Sequence, residues 1–168
     1  ERALENLRKY PLEERLHLEK ICHDELSDLY MLCKDKRAEE QIGQCIDLHR
    51  KWLAMDDRFE RPHRDTTGYM MRAYAKMVYL RDLISRDKLN EYYQKCIGLA
   101  RARGDMAEIY STSARYYQCT GDYERAVAYI DSTITAYKSK GIKADLAPIY
   151  ATQSYLYEKM GDYKNALK

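Results

Sequence analysis

Proline and glycine are scarce in this chain, three and seven among 168 residues. That scarcity removes the punctuation a strand-rich or loop-rich fold requires. No strand-like alternation of any length occurs, and no apolar run approaches the roughly 18 residues from which a membrane-crossing helix is read. Charge of one sign is lacking too. With 29 basic residues against 27 acidic ones, formal net +2, no strong field favours nucleic acid or an acidic membrane surface. Phe and Trp occur once each, whereas Tyr occurs 17 times. These absences leave an all-α protein.

Catalytic patterns are missing as well. His17, His23, His49 and His63 form no HExxH arrangement, and the chain has neither a glycine-rich phosphate loop nor a GxSxG turn. His23 beside Asp24 reads as a surface or groove residue rather than a base. The expectation is no catalytic residue, no metal and no cofactor. Five cysteines, Cys22, Cys33, Cys45, Cys96 and Cys119, lie mostly on apolar helical faces without a CxxC pair and read as small buried hydrophobes. Cys22 and Cys33 share a helix face, but eleven residues of helix place them about 16 Å apart, too far for one zinc ion. Disulfides gain no support from the spacing. Residues 57–65 carry three arginines around Phe59, yet Asp56, Asp57, Glu60 and Asp65 cancel them. A solvated loop is the reading there, with Pro62 and Asp65 marking the next helix.

What the chain does have is repetition. Residues 105–128 laid over 145–168, an offset of 40, match at ten of 24 positions: Asp105, Ala107, Ile109, Tyr110, Thr112, Tyr117, Gly121, Asp122, Tyr123 and Ala126 each meet their own kind. A fainter copy at an offset of 37 places Tyr92, Ile97, Arg101 and Gly104 under Tyr129, Ile134, Lys138 and Gly141. Periods of this size signal stacked units rather than one closed core. Helices are expected near 12–33, 36–55, 65–82, 87–103, 106–119, 122–140, 145–160 and from 162 onward. Caps support them: a DxxE start at Asp105 and Glu108, Thr120 or Asp122 before the next helix, and Gly104 and Gly141 after basic last turns. A short piece over residues 2–9 belongs to a preceding pair, and Pro11 opens the next helix. Inside the helices Tyr110, Ala114 and Tyr117, and then Tyr123, Ala126, Val127, Ile130, Ile134 and Tyr137, keep helical period. Ala126 and Ala166 let paired helices approach closely, and short Gly-Asp turns make consecutive helices antiparallel neighbours.

The phrase Tyr-x3-Gly-Asp-Tyr-x2-Ala, present at Tyr117–Ala126 and again at Tyr157–Ala166, resembles the tetratricopeptide repeat family. The likeness covers 105–168 well, 66–104 by architecture and weak matches, and 12–55 by helix pairing, with Ala38 as a counterpart of Ala126. It departs from the family in its 37- and 40-residue spacing and in Ser113-Ala114 and Gln153-Ser154, which replace the large-then-small apolar pair. The resemblance implies a right-handed α-α superhelix of antiparallel helix pairs, near 12–55, 65–104, 105–141 and 145–168, as one array over 1–168. The long-period, tyrosine-rich form also looks like the sensor half of bacterial signalling proteins, in which such repeats precede a histidine kinase or a helix-turn-helix output domain. The chain begins at Glu1 and stops in mid-phrase at Lys168, so it is expected to be a fragment, with the cytoplasm and a bacterial periplasm both open as its compartment.

Such arrays offer an inner wall built from one face of each first helix. With Tyr110, Ala114 and Tyr117 facing the partner helix, Glu108, Ser111, Arg115 and Gln118 point to that wall. Adding 40 brings Pro148, Ala151, Tyr155 and Glu158, and subtracting 37 brings Met71, Tyr74, Val78 and Arg81. The expected groove is therefore Tyr74, Val78, Arg81, Glu108, Ser111, Arg115, Gln118, Ala151, Tyr155 and Glu158, suited to an extended ligand with an acidic or carboxylate-bearing end. The expected function is non-enzymatic capture of a protein or peptide segment, without direct contact to nucleic acid. Two alternatives stand beside it: a structural scaffold that binds or self-associates through its convex side or ends, and a small-molecule sensor.

Overall fold

The computed structural model of the chain describes residues 12–56, 66–139 and 146–167, together with Asn6, Lys9 and Tyr10. Eight helices fill these segments: α1 Leu12–Leu32, α2 Arg37–Asp56, α3 Thr66–Val78, α4 Arg86–Ala102, α5 Met106–Thr120, α6 Tyr123–Ser139, α7 Ala147–Lys159 and α8 Tyr163–Ala166. No strand occurs among the described residues. The expected piece over 2–9 (but for Asn6 and Lys9), Pro11, the arginine-bearing loop 57–65 with His63, Gly141 and Asp145 lie outside them.

One turn recurs four times, and it explains the repeated phrase. An aspartate N–H donates to the carbonyl five residues back: Asp35 to Tyr30 (2.8 Å), Asp105 to Ala100 (2.9 Å), Asp122 to Tyr117 (3.0 Å) and Asp162 to Tyr157 (2.9 Å). The residue before each aspartate is left-handed, Lys34 at φ 53°, Gly104 at 66°, Gly121 at 84° and Gly161 at 77°. Each aspartate carboxylate then accepts from a backbone N–H in the first turn of the next helix, Arg37, Glu108, Arg125 and Asn165 respectively. Gly-Asp therefore closes one helix and caps the next within two residues. Only half of the expected box at Asp105 forms, because the Asp105 N–H is already bonded to Ala100 and the Glu108 carboxylate is left to other partners.

The connection from α3 to α4 is different. The expected helix to residue 82 stops at Val78, and residues 79–84 turn through bonds from Tyr79 to Lys76, Leu80 to Met77 and Leu83 to Leu80. No glycine is available there to reverse the chain, so it is turned by successive three-residue closures until Ser85, whose hydroxyl caps α4 at the Lys88 N–H.

Consecutive helices pack on one another along the whole chain, most extensively within the pairs α1/α2, α3/α4 and α5/α6, and α3 also meets α5. A two-residue turn at Gly121 and a three-residue turn at Gly161 send each second helix back along its first. One apolar cluster joins α2, α3 and α4 through Ala38, Ile42, Ile46, Met71, Met77 and Cys96. The other joins α5, α6 and α7 through Ala114, Ala126, Val127, Ile130, Ile134 and Leu156. Ala38 and Ala126 are fully buried, the close approach their size permits. Burial of a Val, Leu or Ile side chain contributes about 1.5–3 kcal/mol, so each cluster outweighs any single polar contact.

Tyrosines fill the flanks of these clusters. Tyr74 meets Tyr92 at 6.3 Å, Tyr110 meets Tyr129 at 6.4 Å, Tyr117 stacks on Tyr129 at 5.5 Å, and Tyr93 stacks on Tyr116 at 4.1 Å between α4 and α5. Ion pairs then join successive pairs: Lys76 reaches Asp24 (2.6 Å) and Asp28 (2.9 Å), and Glu39 receives Lys88 (2.7 Å) and the Tyr92 hydroxyl (2.6 Å). All five cysteines are free. The thiols of Cys45, Cys96 and Cys119 donate to the backbone carbonyls of Lys20, Met71 and Val78 on neighbouring helices. Burial pushes the Cys45 thiol up to about 12 and the Cys96 thiol up to about 11, so both stay protonated and act as packing groups. Cys33 departs from the expected apolar face, because it lies exposed where α1 ends.

Candidate functional site

The outward face of α5 builds the site. Glu108, Ser111, Arg115 and Gln118 recur at three- and four-residue steps, so they fall on one side of the helix. All four are half-buried and line a cavity of about 330 Å³. Ala75 and Tyr79 close it from the α3 side and Pro148, Ile149 and Thr152 from α7, over a floor of Ala114, Ile130 and Thr133. A second cavity of about 490 Å³ adjoins it through Gln118 and runs past Arg81, Arg86, Cys119, Tyr155 and Lys159.

The ten residues expected to form the wall do not all lie together. Glu108, Ser111, Arg115 and Gln118 line the first cavity, and Arg81 and Tyr155 the second. Tyr74 and Val78 do not reach either: they are 5% and 0% exposed, inside the packing between helices. Ala151 and Glu158 are exposed but line neither cavity. For Tyr74 and Val78 the reason is a one-residue change of register. Tyr74 against Tyr92 is the same contact as Tyr110 against Tyr129, so first helices superpose at an offset of 36 while second helices superpose at 37. The missing residue lies in the glycine-free turn after α3. At 36, Ser111 and Arg115 correspond to Ala75 and Tyr79, the residues that do line the cavity.

The electrostatics of the first cavity centre on Arg115. Its guanidinium lies 3.5 Å from the centre of the Tyr79 ring. Burial depresses its pKa, opposed by Tyr79, Cys119 and the Glu108 carboxylate. Among the described residues no carboxylate comes within 4.0 Å of it, in contrast to Lys76 and Lys88. The Tyr79 phenol is raised, by burial first and by Glu108 second among the raising groups. Glu108 accepts from the Thr112 hydroxyl at 2.8 Å. Together with burial, Glu108 and Asp105 raise the Tyr137 phenol.

No family model matches the chain, and no curated protein matches it.

The second cavity is the more basic but the less distinctive. Arg81 is 3.5 Å from Asp82, and Lys159 lies over the Tyr155 ring at 5.3 Å. Both cations follow or end a helix, where the negative pole of α3 or α7 favours positive charge without any ligand. Arg115 sits mid-helix and has no such account. His23, whose Nδ1 lies 2.7 Å from Gln41 Oε1, and the buried His49 line neither cavity. Among the described residues no group of three His, Cys, Asp or Glu side chains could hold a metal ion, and no helix is long and apolar enough to cross a membrane. What the arrangement can do chemically is hold charged and hydrogen-bonding groups along a trough across α3, α5 and α7. Sequence reasoning missed Ala75, Tyr79 and Tyr137. The signal for Tyr79 was an aromatic one repeat before Arg115, legible only at the 36-residue offset.

Proposed function

We propose that this chain is a non-enzymatic interaction module of tetratricopeptide-repeat type, its helix pairs wound into a right-handed superhelix. It captures a protein or peptide segment, as the sensor or regulatory portion of a bacterial signalling protein. The repeated Gly-Asp turns and the helix-by-helix packing support the repeat reading. One observation carries the binding reading: two cavities meet at Gln118 and open a trough across three helices, with Arg81, Arg86, Arg115 and Lys159 along it. An extended segment with acidic side chains complements that trough. The test is a pull-down from cell extract with the chain beside a variant bearing Tyr79, Arg81, Arg115 and Tyr155 all changed to alanine, after its helical circular dichroism is shown to match. Loss of specific partners with the variant supports segment capture in the trough.

A scaffold role is favoured by a different feature. On α1, Ile21, Leu29 and Leu32 are large apolar side chains that lie 40%, 57% and 82% exposed. If partners persist with the trough variant but vanish when Ile21 and Leu29 are changed to serine, the chain joins an assembly through that end instead.

A further inference from the structure

The first cavity carries one charge of each sign, and neither has a counterion among the described residues. Arg115 has no carboxylate in ion-pair range among the described residues, and Glu108 likewise has no Lys, Arg or His within 4.0 Å. They do not pair with each other, although the Glu108 charge favours the Arg115 cation from a distance. Seven residues of helix separate them by about 10.5 Å along the axis of α5, and no ion pair joins them. Glu108 stands in the first turn of α5, at the positive pole of the helix. Among the described residues the close contact of the Arg115 guanidinium is the Tyr79 face, an interaction on the order of 1 kcal/mol. A half-buried guanidinium without an anion is a costly arrangement for a protein to keep.

The space between the two charges is built for a short molecule. Ser111 and Thr152 place hydroxyls in the cavity, and Ala114, Ile130 and Ile149 supply an apolar surface between them. Both hydroxyls donate to backbone carbonyls, Ser111 to Glu108 and Thr152 to Pro148, so towards a further partner their oxygens can only accept. Acceptors beside a carboxylate suit a donor-rich cationic group at the Glu108 end. At the other end the guanidinium suits a carboxylate, which it can hold through two parallel bonds. The volume, about 330 Å³, stands at the lower edge of the range of small-ligand pockets, roughly 300–1,000 Å³.

We infer that this cavity binds a small zwitterion, in its simplest form an ω-amino carboxylate, with its carboxylate on Arg115, its ammonium on Glu108 and its aliphatic chain over Ile130 and Ile149. This occupancy goes beyond segment capture and does not depend on it. The site would respond to a free metabolite whether or not a protein partner uses the wider trough.

The experiment is calorimetric titration of the full chain with glycine, γ-aminobutyrate and ε-aminocaproate, beside caproate and hexylamine, which keep one charge each. The expected result is a length optimum in the ω-amino series, with both single-charge analogues weaker by about tenfold or more. Arg115→Met and Glu108→Gln should each weaken the best ligand by roughly tenfold to a hundredfold. Both variants must first retain the helical circular dichroism and urea midpoint of the parent. Arg115→Met meets this test readily, because it replaces an unpaired charge with an apolar chain of similar reach. Equal binding of caproate would reduce the site to a plain anion subsite and overturn the inference. So would indifference of the best ligand to either substitution, or the absence of millimolar binding across the series. A peptide whose ends are blocked and which still competes with ε-aminocaproate would transfer the site to segment capture.

Discussion

His49 illustrates what a single buried residue does to this protein. It is 5% exposed on α2 and stacks on Tyr69 of α3 at 5.1 Å, while Lys20 and Arg72 flank the same tyrosine ring. Burial first, then the positive charges of Lys20 and Arg72 against the opposing Asp24, lower its pKa from 6.5 to about 4. Between those values the unfolded chain binds a proton that the folded chain refuses. His49 therefore detracts nothing above about pH 6.5, and the fold loses stability as pH falls from there towards 4, by on the order of 3 kcal/mol. Urea midpoints at neutral pH and near pH 4.5 should diverge more for the parent than for His49→Leu. Parallel pH slopes would show that other groups dominate acid sensitivity. The same scale shows where sequence reasoning stops. Arg115 and Glu108 were legible as wall residues because they share α5 with the aligned phrase itself, whereas Tyr74 and Val78 were displaced into the core by one unit of register that no residue type announces.

Among the elements, the turns are the most legible part of the chain, because their chemistry is local. A glycine free to take positive φ and an aspartate able to cap lie side by side, so Gly121-Asp122 and Gly161-Asp162 can be read without knowing any contact across the fold. The turn after α1 was legible in place, between the helices expected near 12–33 and 36–55, but not in kind: it has the same geometry with Lys34 in the glycine position, at φ 53°. A left-handed lysine pays the Cβ clash that glycine avoids, and removing it outweighs the added freedom of the unfolded chain. Lys34→Gly should stabilise the protein by about 0.5–1 kcal/mol. Gly121→Ala should destabilise it by about 1 kcal/mol, and purely through the backbone, since no heavy atom lies within 4 Å of the added Cβ. Thermal melts of the two variants should move in opposite directions. A shared direction would mean that the four turns are not energetically equivalent.

At the scale of the molecule, the order of packing was legible and the facing of helices was not. Short turns dictate that neighbours in sequence are neighbours in space, and the two apolar clusters obey that rule, one in α2 to α4 and one in α5 to α7. Which face of α3 or α7 meets the trough depends on register across a turn, and that is set by three-dimensional closure. Helices that contact mainly their sequence neighbours should distribute stability along the chain rather than through one nucleus. Ile42, 1% exposed, and Ile130, 4% exposed, belong to different clusters and share no partner in either. Each change to alanine should cost about 2–5 kcal/mol, and the double variant should cost their sum to within about 0.5 kcal/mol. Native-state hydrogen exchange gives the sharper discrimination. Ile42→Ala should release amides of α2 to α4 well before those of α6 and α7, and Ile130→Ala should do the reverse. Uniform loss of protection in both variants would mean that the two clusters open together as a single cooperative core. The trough across α3, α5 and α7 would then be a rigid surface, because no boundary between clusters could open beneath it.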